Sequence, residues 1–381
     1  MTAAIEVKPV ETARDRADWL AIPAIVHAGD PAFVPPLLMQ ESRRISPRHN
    51  PFFKFGEAQL FIARRNGSPI GRVSAQINRR YLDRHNDKTG HFGFFDCVDD
   101  QEAADLLLDA ACRWLSTRGM ERAVGPLNFS VNEEIGLLVE GFDSPPAILM
   151  TQARPWEGSL VENAGFEKEI DVLAWRMKPS VALPAVKRLS TLAPDAGRLS
   201  VRPFNMKNYR AEVATLIDIF NDAWSDNWGF VPFSDPEIDA LVAEMRPFFR
   251  GNYGRFVCLD GEPVGTMLAL PNINESIAGF GGRLAPLKWA FLLRDLWMER
   301  IRTARIPLLG LRKAHRHTTL APAMIALLVS EFLSESRRYP LDWVEFSWIL
   351  ETNRAMVGLA QLAAGAPAKR YRIYRKTIPA A

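Results

Sequence analysis

Twice along the chain, apolar and polar positions alternate with a period of two on either side of a tight turn. Gln59–Arg64 and Gly71–Asn78 flank Asn66-Gly67-Ser68-Pro69, while Arg255–Leu259 and Val264–Leu270 flank Asp260-Gly261-Glu262-Pro263. Each predicts a β-hairpin, because Asn-Gly and Asp-Gly supply the left-handed backbone that a short hairpin turn needs. A strand, helix, strand block follows each hairpin: Phe92–Val98, Glu102–Arg118 and Arg122–Pro126 in the first half, then Ile306–Leu311, Ala321–Arg338 and Trp343–Leu350 in the second. The halves also end alike, in helix, glycine and strand. Leu160–Glu169 leads to Val172–Met177, and a helix over Arg354–Ala364 leads through Gly365 to a closing strand over Lys369–Lys376. Between them Lys178–Ser200, with Pro179, Pro184, Pro194 and Gly197, reads as a linker with room for one short helix. The economical expectation is an internal duplication. It gives a domain over 1–180, a linker over 181–200 and a second domain over 201–381, of α/β class with mixed sheets.

Composition sharpens this picture. A chain of 381 residues exceeds what one core usually organises, and 48% apolar with 24% charged residues excludes wholesale disorder. Net charge is only +3, so no nucleic-acid partner is expected. The charge is uneven, with nine Lys/Arg against two acidic residues from Arg283 to Arg316. Cys97, Cys112 and Cys258 lack metal-ligand spacing and read as reduced thiols of a cytoplasmic protein, with no metal site. Met1–Pro9 shows no basic-then-apolar leader, and no window nears the roughly 20 apolar residues of a membrane span. The expectation is a soluble or peripheral protein.

Candidate chemistry starts in the second half. Strand Ile306–Leu311, a cationic turn with Arg312, Lys313 and Arg316, and a helix start at Ala321 make an anion site in that order. Unpartnered amides and the helix dipole favour a phosphate there. His315 and His317 read as phosphate contacts rather than zinc ligands. The corresponding turn of the first half is acidic, with Asp99, Asp100, Glu102 and Asp105, and would repel a pyrophosphate. Asp99 is the expected cap of that helix, with Glu102 reaching back.

Polar residues gather in two further places. Asn128, Asn132 and Glu134 follow a strand and fall at its carboxyl end, where ligands enter open α/β sheets. Asn221–Phe233 sets Trp224 and Trp228 beside Asn227, as a substrate mouth would, and ordinary turn chemistry with core aromatics would look the same. Asp96 lies in an apolar strand, either as a satisfied core group or as a base of raised pKa. Glu351 ends a strand opposite the basic turn, placed either to accept a proton or to cap the helix that follows. Leu287–Ile301 predicts a helix whose apolar arc, with Trp289 and Trp297, covers most of its circumference. Such a helix lies in a headgroup interface, walls an acyl tunnel, or is buried between domains.

The second-half unit resembles the acyl-CoA-binding half of the GNAT acyltransferase superfamily, whose pyrophosphate loop reads Arg/Gln-x-x-Gly-x-Gly/Ala. Here the stretch is Arg316-His317-Thr318-Thr319-Leu320-Ala321, with Thr319 at the central glycine. The resemblance implies tandem GNAT-like domains and a thioester lying between two splayed parallel strands. It implies an oxyanion amide around Leu309–Leu311 and a site residue at Asn353. Many members carry a tyrosine about seven residues past that Asn; here Ala360 stands there. Asn50-Pro51-Phe52-Phe53, Gly125–Ser130, Gly141–Pro146, Asn227–Pro232 and Ser347–Asn353 extend the resemblance over both halves, to a two-domain family with a branch similar to bacterial ceramide synthases.

That likeness implies an enzyme without a bound cofactor, using acyl-CoA (or acyl carrier protein) as co-substrate and a long-chain amine lipid as acceptor, at the inner membrane face. Glu134, Asp96, Asn128 and Glu351 are the candidate catalytic residues. Leu309, Leu311, Arg312, Arg316–Ala321 and Asn353 are expected on acyl-CoA, with Asn132, Trp224, Asn227 and Trp228 on substrate. An amino acid or small amine as acceptor, or an inactive acyl-CoA-binding protein, are the other readings.

Overall fold

The computed structural model describes residues 4–191, 196–246, 249–335 and 341–379. They divide into two compact units. The first takes the chain up to Leu173, with Ile277–Lys288 and everything from Ala368 on; the second takes Ala174–Ser276 and Trp289–Pro367.

The first unit runs β1 (Ile5–Pro9), α1 (Ala13–Val26), α2 (Leu38–Arg44), β2 (Gly56–Arg65), β3 (Ser68–Asn78), α3 (Arg79–His85), β4 (Thr89–Cys97), α4 (Gln101–Ser116), β5 (Arg122–Gly125), β6 (Leu137–Glu140), α5 (Glu157–Asn163) and the start of β7 (Glu167–Met177). The expected hairpin is β2–β3, turned by Asn66 and Gly67 at φ +51° and +79°. Strands β1 to β4 are antiparallel neighbours, whereas β4 and β5 run parallel from Thr89–Arg122 to His91–Val124. Helices α1 and α4 cover opposite faces, as adjacent β3 residues show. A side chain at Gly71 would strike Leu107 of α4, while the Arg72 guanidinium lies 4.3 Å over the Trp19 ring of α1. The cap of α4 is Asp100, not Asp99: its Oδ1 accepts the Ala103 N–H at 3.2 Å. The helix therefore starts one residue later than the capping pattern suggests.

The second unit holds the end of β7, α6 (Pro179–Thr191), β8 (Leu199–Pro203), α7 (Tyr209–Trp224), α8 (Asp235–Met245), β9 (Gly254–Leu259) and β10 (Glu262–Pro271). The connection α9 (Asn274–Ile277) leads to α10 (Pro286–Trp297), then β11 (Thr303–Leu311), α11 (Ala321–Glu335), β12 (Trp343–Leu350) and α12 (Arg354–Ala364). Its strand order is β12-β11-β10-β9-β8. Strands β8 to β11 are antiparallel neighbours, whereas β11 and β12 run parallel from Thr303–Trp343 to Ile306–Phe346. Helix α6 occupies much of the stretch expected as a linker and packs along α11. The last residues of the helix expected over Ala321–Arg338 lie outside the described residues.

The closing strand β13 (Lys369–Thr377) belongs to the first unit, although it follows the second in sequence. It pairs antiparallel with β5 through Tyr374–Gly125 and with β6 through Arg372–Leu137. Tyr371, Ile373 and Tyr374 are fully buried there. Lys369, 2% exposed, donates to the Gly141 and Ser144 carbonyls, so the Gly141–Pro146 stretch is tied to this strand.

Candidate functional site

The two parallel strand pairs part in both units, and what lies beyond the parting differs. In the first unit all of β4 is buried. Leu127 and Asn128 occupy the opening: the Leu127 N–H donates to the Phe92 carbonyl at 2.8 Å, and Asn128 Oδ1 accepts the Phe94 N–H at 2.7 Å. Gln76 Nε2 donates to the Leu127 carbonyl, and a side chain at Gly93 would strike that same carbonyl. This opening is closed by the unit's own chain. In the second unit β11 is half-exposed over Pro307–Gly310, directly after its last pair with β12 at Ile306. A strand edge with backbone groups open on one side can take an extended ligand by adding hydrogen bonds along it.

Trp224 touches that strand. A side chain on Gly310 would stand within 2.5 Å of the Trp224 indole, which also stacks on Phe220 at 4.9 Å. The structure thus brings Trp224 to Leu309–Leu311. The basic turn next to it is already paired. Arg312 donates to Asp218 at 2.6 Å, the Lys313 ammonium to Asp226 at 2.5 Å, Arg316 to Asp226 at 2.9 Å, and the Lys313 N–H to Asp222 at 2.7 Å. Hydrogen bonds from Lys313 and Arg316 hold the Asp226 carboxyl below the usual range. These are exposed or half-exposed pairs, in which water screens most of the attraction, so an anionic ligand can compete for the cations. At the helix start the Ala321 N–H is taken by the Thr318 carbonyl, and Pro322 offers no amide proton. Thr319 and Leu320 lie in the preceding turn and His317 is exposed. Asn353 caps α12, its Oδ1 accepting the Met356 N–H at 3.2 Å, and Glu351 lies in the turn before it. Asn227 donates its N–H to the Trp224 carbonyl at 2.8 Å, and Trp228 is half-buried in the same turn.

The first unit gathers the other candidates into one polar cluster. Asn128 Nδ2 donates to Glu134 at 2.9 Å, and Arg44 donates to Glu134 at 2.8 Å and to Glu133 at 2.9 Å. Phe94, whose φ of +48° is unusual for a non-glycine, aims its amide at Asn128 and lies 5.1 Å beneath the Arg44 guanidinium. Two residues on, buried Asp96 accepts from Arg72 Nε at 2.6 Å. Asn132 lies in the 130–134 turn, its N–H on Ser130 Oγ at 3.2 Å.

Several members of the cluster are not evident from sequence. His27 is buried, stacked on Phe33 at 4.5 Å, bonded to Asp30 at 3.2 Å and 3.9 Å from Asp96. Burial pushes its imidazole down, against the pull of Asp96 and Asp30. Glu157 is fully buried and accepts the Cys97 N–H at 2.9 Å and the Arg154 N–H at 2.7 Å. Burial, with Asp96 nearby, raises its carboxyl well above the usual range. The one local signal was His27-Ala28-Gly29-Asp30, whose spacing lets the imidazole reach its own turn. Burial likewise raises all three thiols, Cys112 to about 11, which leaves no ready thiolate nucleophile among them. Among the described residues no group of three His, Cys, Asp or Glu side chains is placed to hold a metal ion.

With this geometry in view, the chain was compared with known proteins. It is 36% identical over 377 residues to the bacterial ceramide synthase of Caulobacter vibrioides, covering 99% of this chain and 98% of that protein. It is 35% identical over 366 residues to protein YghO of Escherichia coli, covering 96% and 93%. Among solved structures, a tandem GNAT protein from the clavulanic acid biosynthesis pathway matches with a TM-score of 0.56 at 13% identity, over 99% of both chains. A GCN5-related N-acetyltransferase from Sphaerobacter thermophilus matches at 0.54 and 13%, over 98% and 96%. No family model matches the chain. The tandem GNAT fold expected from the sequence is the fold of these structures.

Proposed function

The chain belongs to the family that holds the bacterial ceramide synthase and YghO and is a GNAT-type N-acyltransferase; from that premise we propose that it moves a fatty acyl group from acyl-CoA to the amine of a long-chain sphingoid base. The observation that carries this reading is the near full-length identity to a ceramide synthase. The half-exposed Pro307–Gly310 edge supports it, because it leaves room for the pantetheine arm in the second unit, whereas β4 leaves none in the first.

In this reading the arm pairs along β11 and an amide of Leu309–Leu311 donates to the thioester oxygen as it gains charge. Arg312 and Arg316 exchange their aspartates for the pyrophosphate, His317, Thr318, Thr319, Leu320 and Ala321 line the turn around it, and Asn353 holds the neighbouring helix start. Trp224, Asn227 and Trp228 wall the acyl side. The amine nitrogen attacks the carbonyl carbon, the C–N bond forms, the C–S bond breaks, and CoA leaves as a thiolate that takes a proton. The amine must be neutral to attack, so a carboxylate has to remove its proton. Glu134 is the proposed base, oriented by Asn128 and Arg44, with Asp96 and then Glu351 as alternatives; Asn132 is proposed as an acceptor contact.

The exposed side of α10 supports a membrane-surface location at the cytoplasmic face. Phe291 and Trp297 are 49% and 73% exposed beside Arg294, while Leu292 and Leu296 on the opposite side are buried. Among the described residues no helix is long and apolar enough to cross a membrane. The test is direct: purified protein is given palmitoyl-CoA or palmitoyl acyl carrier protein with sphinganine, amino acids or small amines. Mass spectrometry then follows amide product and free thiol. N-acylsphinganine as the preferred product is expected. Preference for a small amine overturns the acceptor assignment, and tight CoA binding with no product from any amine identifies a silent binding protein, which the paired state of the basic turn would favour.

A further inference from the structure

A buried charge network lies in the second unit where β11 and β12 part, and the proposed reaction makes no use of it. Arg305 and Glu345 face each other one step before the ladder's last pair, Ile306–Phe346. Ser347 follows directly after that pair, and Arg305, Glu345 and Ser347 are all buried. Arg305 Nε donates to Ser347 Oγ at 2.8 Å, and that hydroxyl donates on to Glu345 Oε1 at 2.8 Å. Glu345 Oε2 accepts from Arg176 Nε at 2.9 Å, and the Arg176 guanidinium rests 4.2 Å over the Trp343 ring. A second nitrogen of Arg305, Nη2, donates to the Ser347 backbone carbonyl at 3.2 Å.

A carbonyl just past the last pair of a parallel ladder is ordinarily the ladder's next acceptor, and left buried without a donor it costs free energy. The next residue of β11 is Pro307, which has no N–H to offer. It falls in a bulge, since the two residues of β11 between Arg305 and Leu308 stand opposite one residue of β10. A bulge accepts proline and bends the strand that carries it. Beyond the bulge the Arg312 N–H donates to the Val264 carbonyl of β10 at 2.8 Å. By alternation the Leu309 and Leu311 amides then face away from β10, toward the open edge. Bulge and proline turn β11 aside, and Arg305 takes the carbonyl that this leaves behind on β12.

We infer that Arg305 is a positioning residue for the donor, a clamp that satisfies β12 where the ladder stops and so keeps the Leu309 and Leu311 amides available to an acyl thioester. Ser347, itself held by Glu345, fixes the guanidinium. The inference rests on the proposed entry of acyl-CoA along β11, but the clamp itself does not depend on acyl transfer.

The test is hydrogen exchange of the full chain without ligand, followed by calorimetry with CoA. Arg305→Met removes the donor to Ser347 while Glu345 keeps both Arg176 and the Ser347 hydroxyl. With its carbonyl uncapped, β12 should close on β11, so that the Leu309 amide exchanges about tenfold more slowly and CoA binds about tenfold more weakly. The KM for acyl-CoA should rise more than kcat falls, because the loss is in binding. Arg305→Lys, whose ammonium can still donate to the Ser347 carbonyl, should recover most of the CoA affinity. A residue that only supports the fold gives the opposite sign, with Leu309 exchanging faster in Arg305→Met. That result, or unchanged exchange, overturns the clamp. If Arg305→Met does not fold, Pro307→Ala decides at a half-exposed position. Its new N–H should slow Leu309 exchange and weaken CoA, and no change in either overturns the inference. Slowed Leu309 exchange in Arg305→Met, with a wild type that binds no CoA, leaves the clamp standing and removes the donor reading. CoA bound equally tightly by wild type and Arg305→Met removes the clamp alone.

Discussion

Asn128 holds a buried strand amide and a carboxylate at once, and Asn128→Ala separates those duties. The Phe94 N–H loses an acceptor at 2.7 Å in a strand that is buried throughout, which costs about 1–3 kcal/mol for an unsatisfied donor. Glu134 loses a donor at 2.9 Å but keeps Arg44 at 2.8 Å, a further cost of about 1 kcal/mol. The total of about 2–4 kcal/mol should appear in urea unfolding as a midpoint lowered by about 1 M or more. Hydrogen exchange gives the local reading, with the Phe94 amide exchanging about 30- to 1,000-fold faster if that free energy is lost from local opening. Asn128→Asp keeps an oxygen for Phe94 but sets a second carboxylate against Glu134, so it should recover the exchange protection and only part of the midpoint. Turnover should fall more than CoA affinity in both variants, because the donor slot is elsewhere. An unchanged Phe94 exchange rate in Asn128→Ala would refute the reasoning, as would full recovery of the midpoint by Asn128→Asp.

Other perturbations give equally definite expectations. Asp226→Asn releases Lys313 and Arg316 from their partner and should tighten CoA binding, while Arg316→Glu should weaken it with the fold intact; identical calorimetric affinities in both would remove the loop from the donor site. Burial pushes the His91 imidazole down to about 4 from 6.5. Between those values only the unfolded chain takes the proton, so stability present above pH 6.5 falls with pH, by about 3 kcal/mol in all. His91→Phe should flatten that part of the urea-midpoint profile from pH 7 to 5, and an unaltered slope would show that other groups produce it. Trp297→Ser with Phe291→Ser should release the protein from anionic vesicles, most clearly at high salt where the basic contribution is screened, and leave the melting temperature within a few degrees because both rings are exposed. Retained vesicle binding would dismiss α10 as the contact.

Local elements were legible where local chemistry decides them. The spans Trp343–Leu350 and Arg354–Ala364 are the strand and helix expected, since apolar runs and an Asn cap mark their ends. Long-range assembly was not. Nothing near Lys369–Thr377 says that its partners include β5, β6 and β7, because Tyr371 and Tyr374 would suit any buried sheet. The polar cluster draws His27, Arg72, Asp96, Asn128 and Glu157 from five separate segments, so only topology gathers it. The counter-charges of the basic turn were readable in principle. Asp218, Asp222 and Asp226 recur every fourth residue along and just beyond α7, which puts them on one face.

The placement of β13 sets an order on biosynthesis. Strand β5 has β4 on one side and acquires its second neighbour only when β13 arrives, roughly 190 residues after β7 has been made, a delay of about 10–40 s at about 5–20 residues per second. Throughout that time the amino-terminal sheet has an unpaired edge, the kind of template on which nascent chains associate wrongly. A ribosome stalled anywhere before residue 369 therefore releases a polypeptide whose first sheet cannot be completed, and the two halves cannot be expressed as independent pieces by cutting the gene between them.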